Sequence, residues 1–447
     1  MIKYLFLLLS LTNLTYSSQS ELQLRADLMT NYNKEVLPRK NTSKPIFLKL
    51  GIAIRAFGSI NQVEGTVDSN IWLRYWWKDR LLSWNPQDYG NTTSIKMFTD
   101  PETDNSIWVP DIYLYNTAEA PMTDIDYSKA SLYYHGSIIW SRPGMIKSTC
   151  VFDLTYFPYD QQVCQLKFGS WVYNQNELNL KKGTPSIDIS NMQKNQGWDL
   201  VNYTSELNIV KYECCPEEYA DITYNFTLRR KPGYYNLNII LPTFATAVLM
   251  LISFIVPWDS GERISFATTV MLSIIVFLLI LSDSLPKTDT KPLLSQMLIG
   301  LTFFSLFVVF FTVLISSMYS YKENKNNVFY RFIKYCNCFL CKQPQNNNEE
   351  KNKSLKDNVS MSMLERNISY GENKKIVDLD NVLNQGEDFS QYKNEKSTDL
   401  LDDVCEKTAN KLEFILTIIF IMAFTIFSII VFSSIPSYEN INDVINI

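Results

Sequence analysis

Histidine is almost missing from this chain of 447 residues, in which His135 is the single one. A histidine-rich zinc site is therefore excluded, and a catalytic triad built on histidine is disfavoured. The sequence contains no P-loop and no nucleophile elbow, so a membrane enzyme is the least favoured class. Basic residues do not outnumber acidic ones, at 41 against 46, which argues against nucleic-acid binding through bulk positive charge.

Charged residues are also scarce, at 19%, and they are concentrated between long apolar runs. A membrane-spanning helix needs about 20 apolar residues, and four runs meet that length. These runs are Tyr234–Trp258, Ile264–Leu281, Leu293–Met318 and Leu412–Ile435. A shorter run, Tyr4–Leu11, follows Lys3 and precedes Ser17 and Ser18. That order is typical of a signal peptide, here residues 1–18.

A cleaved signal peptide places the block at residues 19–233 outside the cell. Three spans then occupy residues 234–318, with the second-span helix at 263–283. Lysines and arginines follow the third span, which fits the positive-inside rule. We therefore expect residues 319–411 to be cytosolic, partly disordered and closed by an amphipathic helix. The fourth span, 412–435, leaves residues 436–447 as an extracellular tail.

The outer block alternates polar and apolar residues in short stretches separated by turns. Ile71–Trp76 and Cys164–Phe168 are examples. Alternation with period two predicts β-strands. We expect an all-β sandwich or barrel outside the membrane, followed by a bundle of four transmembrane helices. Glycosylation triplets begin on this outer side at Asn41, Asn91, Asn202 and Asn225.

The eight cysteines divide evenly between the two sides of the membrane. The outer four are Cys150, Cys164, Cys214 and Cys215. An even number in an oxidising compartment indicates two disulfides. Either Cys150 pairs with Cys164 and the adjacent cysteines pair together, or each adjacent cysteine pairs with one of the other two. Neighbouring Cα atoms lie about 3.8 Å apart, closer than in an ordinary disulfide.

Three inner cysteines, Cys336, Cys338 and Cys341, have the close spacing seen in zinc sites. No fourth ligand is evident near them, so we predict no metal site and no cofactor. Reduced or palmitoylated thiols are favoured instead.

Several longer motifs occur in a definite order along the chain. They are Trp108–Asp111 with Tyr115, Phe157–Asp160, Gly169–Tyr173, Tyr212–Cys215 with Tyr219, Arg229–Pro232, and Asp259–Ser265. Together they resemble the Cys-loop pentameric ligand-gated ion channels, and within that family the α-type nicotinic acetylcholine receptor subunits. The resemblance covers most of the chain except the cytosolic segment.

The resemblance implies the disulfides Cys150–Cys164 and Cys214–Cys215. It also implies an aromatic cage for acetylcholine or a similar quaternary amine. The principal face of this cage comprises Tyr115, Trp171, Tyr212 and Tyr219, with Cys214 and Cys215 at the tip of a closing flap. The complementary face, from a neighbouring subunit, is expected to contain Trp77, Ile139 and Ser141. Aromatic faces suit this ligand because a quaternary ammonium cannot donate hydrogen bonds. We expect Trp72 and Trp84 to pack in the core.

The second span, read in alternating steps of three and four residues, presents one helical face. Its members are Glu262, Ser265, Thr269, Leu272, Val276, Leu279 and Asp283. A single buried helix gives no reason for acids at both ends of one face. One interpretation is that they are merely end charges at the membrane interface. In a ring of identical helices they would select cations, and the apolar levels would gate by dewetting. Leu272 resembles the central gate leucine of the family.

Ion selectivity has a second indicator in the resemblance. Anion-selective relatives typically carry a Pro-Ala insertion just before the pore helix. Ser260–Arg263 has no such insertion, so cations are favoured.

The resemblance further implies that agonist binding reaches the pore where two loops meet. One loop contains Phe157, Pro158 and Asp160, and the linker after the second span contains Pro286. Arg230 resembles the arginine at the base of the first span. Its usual acidic partner corresponds, by a gap-free count from Trp72, to Gln62, which follows Asn61. The expected inter-strand ion pair is therefore in question here, with Glu64 as a nearby substitute.

The predicted function is a subunit of an acetylcholine-gated cation channel with both termini outside the plasma membrane, at a synaptic site. It would assemble in lipid as a homo- or hetero-pentamer and conduct monovalent cations, with calcium as a further candidate. Two alternatives share the fold. One is an anion-selective channel or a channel for another amine, and the other is a non-conducting auxiliary subunit.

Overall fold

The computed structural model describes residues 19–39, 44–119, 127–257, 261–287, 289, 291–319, 410–430 and 433. Several predictions lie outside these residues: the signal peptide, the Asn41 triplet, the amphipathic helix, the inner cysteines and the C-terminal tail. The chain divides into two compact units. One comprises Met1–Thr243, Val276–Ile299 and Val431–Ile447, and the other Phe244–Ile275 and Gly300–Ile430.

The first unit contains the extracellular block, which begins with helix α1 at residues 19–29. The described strands that follow are β1 (Ile46–Asn61), β2 (Thr66–Lys78), β3 (Ser94–Met97), β4 (Ile112–Leu114), β5 (Ala130–Tyr133), β6 (Ser137–Thr149), β7 (Gln161–Ser170), β8 (Leu178–Asp188), β9 (Trp198–Lys211) and β10 (Glu218–Arg230). They form a six-stranded sheet in the order β3-β5-β6-β2-β1-β8 and a four-stranded sheet in the order β4-β7-β10-β9. The predicted β-sandwich is confirmed.

The core of the sandwich forms because alternate residues of each strand point inward. In β2 the inward side chains are Ile71, Leu73, Tyr75 and Trp77. They pack with aromatic residues from both sheets, including Trp140, Phe168, Tyr224 and Phe226. Burial of each such side chain contributes about 1.5–3 kcal/mol. Trp84 also packs against this core, as expected.

Both disulfides join the cysteines that the resemblance implied. Cys150 follows β6 and Cys164 lies in β7, so this bond connects the two sheets, with Cα atoms 5.2 Å apart. In the chain-entropy model, closing a loop of this length contributes about 3 kcal/mol. Cys214 and Cys215 are bonded to each other in the turn between β9 and β10, with a Cα separation of 3.8 Å.

Four described helices are long and apolar enough to cross a membrane. They are α2 (Gly233–Ile252), α3 (Arg263–Asp283), α4 (Leu293–Tyr319, of which Leu293–Ser317 meets this criterion) and α5 (Asn410–Ile430). The first ends earlier than its apolar run, which extends to Trp258. Within α2 the turn Asn236–Ile240 widens to a π-helix just before Pro242. A proline has no N–H to donate to the preceding turn, which accounts for the irregularity.

The second unit is held together by aromatic side chains. Phe420 of α5 stacks on Phe254 at 5.4 Å between ring centroids, and Phe304 of α4 meets Phe420 edge-on at 5.2 Å. Such aromatic pairs stabilise packing beyond their buried area.

The segment that follows helix α1 is connected to the sandwich by a buried carboxylate. The Tyr32 hydroxyl donates to Asp79 Oδ2 at 2.7 Å and accepts from the Trp108 backbone N–H at 2.9 Å. Burial raises the pKa of Asp79, and the hydrogen bonds from Tyr32 and from the Leu81 and Leu82 backbone oppose that rise. Tyr32 therefore contributes to stability by satisfying a carboxylate that water does not reach.

We expect Tyr32→Phe to destabilise the sandwich by about 1–3 kcal/mol, because Asp79 loses its side-chain donor and Trp108 N loses its acceptor. A lower melting temperature of the detergent-solubilised protein would register this loss. Tyr203→Phe, on the exposed surface of β9, serves as the control. Equal melting temperatures for the two variants would contradict the assignment.

Candidate functional site

Trp171 lies in the turn after β7, and 71% of the residue is exposed. The turn is fixed by Asp111, which precedes β4. Asp111 Oδ2 accepts from the backbone N–H groups of Trp171 and Val172 at 3.0 and 2.8 Å. Its other oxygen accepts from the Ser170 hydroxyl at 2.6 Å. Burial raises the pKa of Asp111, opposed by these hydrogen bonds. The exposed indole is therefore held by a rigid backbone.

Two tyrosines flank this indole, Tyr113 within β4 and Tyr115 just after it. The rings of Tyr113 and Tyr115 meet Trp171 edge-on, with centroids 6.3 and 6.4 Å away. The Tyr115 hydroxyl donates to the Ser170 carbonyl at 2.6 Å. A Cβ at Gly169 would overlap the Tyr115 ring, so only glycine permits this approach.

Tyr212 and Tyr219 form a second aromatic pair at the turn that carries Cys214–Cys215. Their rings are edge-on at 6.0 Å. Burial raises the pKa of Tyr115, with further contributions from Tyr212, Asp221, Asp111 and Tyr219. The Tyr115 phenol is therefore neutral at physiological pH, as a tyrosine of ordinary pKa also is.

An ion pair lies beside Tyr115. Lys167 Nζ is 3.3 Å from Asp221 Oδ2 and 5.9 Å from the centroid of the Tyr115 ring. Asp221 is buried, and its Oδ1 accepts from Asn208 Nδ2 at 2.9 Å and from the Thr223 hydroxyl at 3.0 Å. The pair connects β7 to β10, the strand that contains Tyr219.

The expectation that Trp77 faces a neighbouring subunit is wrong. Only 4% of Trp77 is exposed, because it packs edge-on against Trp108 and Trp140 at 6.3 and 6.4 Å. The expectation that Trp72 packs in the core is also wrong, since 38% of it is exposed. The two residues are five apart in one strand, so they point to opposite faces.

Ile139 and Ser141 lie on the same outer face as Trp72. In the β2–β6 pairing, Trp72 is opposite Pro143, Arg74 opposite Ser141 and Trp76 opposite Ile139. The Arg55 guanidinium covers the Trp72 ring at 4.4 Å. The outer face of the β2–β6 pair therefore has an exposed aromatic and aliphatic surface. Its tryptophan is Trp72 and not the predicted Trp77.

The predicted coupling residues meet at the base of the sandwich. Arg230 Nε and Nη2 bind Asp160 at 2.7 and 3.0 Å, and both side chains are buried. Phe157 packs with Leu154, Ile239, Leu281, Leu285, Leu294 and Leu298. Pro158 is buried and Pro286 is partly buried. The Leu293 N–H donates to the Thr155 carbonyl at 2.9 Å, so the loop between the disulfide cysteines contacts the start of α4.

All seven members of the predicted pore face are exposed on or beside α3. The apolar members Leu272, Val276 and Leu279 are 45–60% exposed. Thr269 donates its hydroxyl hydrogen to the Ser265 carbonyl at 2.8 Å, which leaves oxygen lone pairs on the exposed side. Glu262 immediately precedes the helix, following Gly261 with its left-handed φ of 66°.

Arg263 is next to Glu262 but its side chain is buried rather than exposed. Its Nη2 atom is 2.6 Å from Glu413 Oε1 in α5, and its guanidinium lies 5.8 Å from the Phe254 ring. The ion pair neutralises the one basic charge adjacent to Glu262 in the chain.

Three of the glycosylation triplets fall on described residues. Asn91 and Asn202 are exposed, whereas Asn225 is partly buried and its amide donates to Thr204 Oγ1 at 3.3 Å.

The sequence analysis did not identify four residues that build this site: Asp111, Tyr113, Lys167 and Asp221. Asp111 is the last residue of the motif Trp108–Asp111. An acid beside several aromatic residues could have indicated a role in fixing the turn. Tyr113 is two residues from Tyr115, on the same face of an extended strand. Lys167 and Asp221 are far apart in sequence, and only the β7–β10 register brings them together.

Two family models match this chain. Residues 21–232 match the neurotransmitter-gated ion-channel ligand binding domain, and residues 239–414 match the neurotransmitter-gated ion-channel transmembrane region.

Relatives include neuronal acetylcholine receptor subunit alpha-2 of Homo sapiens, 34% identical over 68% of this chain and 56% of the relative. Subunit alpha-6 of Mus musculus is 35% identical over 67% of this chain and 60% of the relative. The alpha-type subunit acr-15 of Caenorhabditis elegans is 35% identical over 70% of this chain and 64% of the relative. The chain thus matches 56–64% of the length of these relatives. It is a multi-pass membrane protein that belongs to the neurotransmitter-gated ion channels, a family of channels and not of enzymes.

Proposed function

We propose that the chain is a subunit of an acetylcholine-gated, cation-selective channel in the plasma membrane. The observation that carries the proposal is the exposed Trp171 indole, fixed among tyrosines at the edge of the sandwich. The printed names of the relatives, which are acetylcholine receptor subunits, support the choice of ligand. Because the chain matches only part of their length, the activity of the whole protein is part of the proposal.

The chemistry of the cluster suits a quaternary ammonium. The carboxylates nearby, Asp111 and Asp221, already accept hydrogen bonds from the protein. The cation would therefore contact π-faces, each contributing about 0.5–2 kcal/mol. Tyr115, Trp171, Tyr212 and Tyr219 form the cage in this proposal, and the Cys214–Cys215 turn closes over it. Glu213 and Glu217, exposed near this turn, would attract cations over a longer range.

A neighbouring subunit would complete the site. In place of Trp77, we assign Trp72 to the complementary face, together with Ile139 and Ser141. These residues share the outer face of the β2–β6 pair. Because one chain contains both an exposed principal cluster and an exposed complementary surface, a homo-pentamer and a hetero-pentamer are both compatible with the site.

The pore in this proposal is lined by the exposed face of α3. Glu262 and Asp283 would form acidic rings that favour cations, and Leu272, Val276 and Leu279 would form the apolar gate. The buried Arg263–Glu413 pair supports cation selectivity, because it directs the adjacent positive charge away from that face. The synaptic location and the extracellular position of both termini also belong to this proposal, as does glycosylation at Asn91, Asn202 and Asn225.

Replacing Trp171 by alanine should raise the half-maximal acetylcholine concentration about 10-fold or more, because a ring of the cage is lost. Single-channel conductance should stay unchanged. Concentration–response curves and single-channel recordings measure the two quantities. Val172→Ala, a truncation of the exposed neighbour in the same turn, is the matched control. Unchanged potency in Trp171→Ala would refute the cage.

Truncating the two β2 tryptophans should have different consequences. Trp72→Ala should reach the cell surface and lower acetylcholine potency. Trp77→Ala should deplete surface protein, because emptying a buried tryptophan site costs about 3–5 kcal/mol. Surface labelling and concentration–response curves separate the outcomes. If Trp72→Ala kept wild-type potency, this complementary face would be misassigned.

Glu262→Gln should reduce cation conductance and shift the reversal potential measured under a sodium gradient, with acetylcholine potency little changed. The reason is that the substitution removes the charge of one ring while keeping its shape. Glu102→Gln, which removes an exposed acid from the sandwich, is the control. Wild-type conductance and reversal potential in Glu262→Gln would contradict the pore assignment.

A further inference from the structure

Gln62 lies in the turn between β1 and β2 and makes two hydrogen bonds in different directions. Its Oε1 accepts from Arg230 Nη2 at 2.6 Å. Its Nε2 donates to the backbone carbonyl of Ser284 at 2.7 Å. Ser284 immediately follows Asp283, the last residue of α3. One side chain therefore connects the base of the sandwich to the end of the proposed pore helix.

The Arg230 end of this connection is already neutral without Gln62. Asp160 binds the guanidinium through both oxygens, and Gln162 Nε2 donates to Asp160 Oδ2 at 2.6 Å. The guanidinium also lies 4.2 Å from the Trp198 ring and 4.8 Å from the Phe157 ring. One buried cation thus has one buried anion, and a second carboxylate is not needed for charge balance.

At the Ser284 end the partner is a carbonyl oxygen, so the side chain of residue 62 must donate. An amide offers one acceptor and one donor group, whereas an ionised carboxylate offers acceptors only. The two partners also fix the orientation of the amide, since a guanidinium faces the oxygen and a carbonyl faces the nitrogen. A glutamate at this position would aim an oxygen at the Ser284 carbonyl and lose the bond.

The bond borders a cavity of about 390 Å³, which is lined by Gln62, Trp198, Arg230, Tyr234 and Ser284 among others. Packing around Ser284 is therefore incomplete on this side. Its neighbour Leu285, by contrast, is buried against Phe157 and Leu294. The hydrogen bond from Gln62 to the Ser284 carbonyl is a directional contact between the β1–β2 turn and this linker.

We propose that Gln62 is a positioning residue for gating, and that it transmits movement of the β1–β2 turn to the end of α3 through its neutral amide. A glutamate at this position would serve this chain worse than glutamine does. This inference rests on the proposed channel function, and it deepens that function by naming the chemistry of the link.

The test compares Gln62→Glu with Asn61→Asp in the full-length channel. Both substitutions place a carboxylate in the same turn. Asn61 Oδ1 accepts from the backbone N–H groups of Val63 and Glu64, and aspartate retains that acceptor. Gln62→Met, which is similar in size and loses both hydrogen bonds, is the second variant. It keeps the test decisive if the glutamate variant fails to reach the surface.

We expect Gln62→Glu and Gln62→Met to lower the gating equilibrium constant about 10-fold, from single-channel open probability at saturating acetylcholine. Agonist affinity of the resting state should be unchanged, and Asn61→Asp should behave as wild type. Wild-type or higher open probability in Gln62→Glu, or in Gln62→Met, would overturn the inference. An equal loss in Asn61→Asp would also overturn it, because added charge alone would then explain the effect. A silent wild-type channel would instead count against the proposed function.

Discussion

The buried ion pair between Arg230 and Asp160 is the interaction on which the arrangement depends. A guanidinium in a dry environment is tolerated only when it is paired and hydrogen-bonded. Asp160 supplies both oxygens, and the rings of Trp198 and Phe157 cover the remaining faces. The pair connects the end of β10 to the loop between Cys150 and Cys164. That loop also contacts the start of α4, because the Thr155 carbonyl accepts from the Leu293 N–H, so the ion pair and the first turn of α4 share one loop.

The same strand connects this base to the aromatic cluster. Tyr219 is near one end of β10 and Arg230 at the other, while Asp221 pairs with Lys167 of β7 beside Tyr115. A ligand that moves the Tyr212–Tyr219 turn would therefore act on a strand whose other end carries the buried arginine. This continuity gives a physical basis for coupling in the proposed function, because a paired strand moves largely as a unit.

Much of the architecture is predictable from the sequence, because period-two alternation and long apolar runs are local signals. The β2 tryptophans illustrate how a local signal can be misread. Charged Arg74 and Lys78 mark the outer face of β2, and Trp72 has the same parity as both, whereas Trp77 has the parity of Ile71 and Leu73. The parity rule, applied along the whole strand, predicts the exposure that the structure has.

Other features were not accessible from the sequence, because they depend on contacts between distant segments. The three hydrogen bonds to Asp111 require the end of β7 to pass beside the start of β4. The bond from Gln62 to Ser284 joins residues 222 positions apart. The gap-free count from Trp72 placed Gln62 where the resemblance implies an acid. Only the three-dimensional arrangement indicates that its amide has a donor role.

The central claim is that an aromatic site on the extracellular domain opens a cation-selective pore. It is tested most directly by voltage clamp of cells that express this chain, first alone and then with related subunits. Acetylcholine is applied while external sodium and, separately, external chloride are replaced. The account predicts an inward current whose reversal potential becomes more negative when sodium is lowered and stays constant when chloride is replaced. A reversal potential that follows chloride, or no current in either setting despite surface protein, would contradict it.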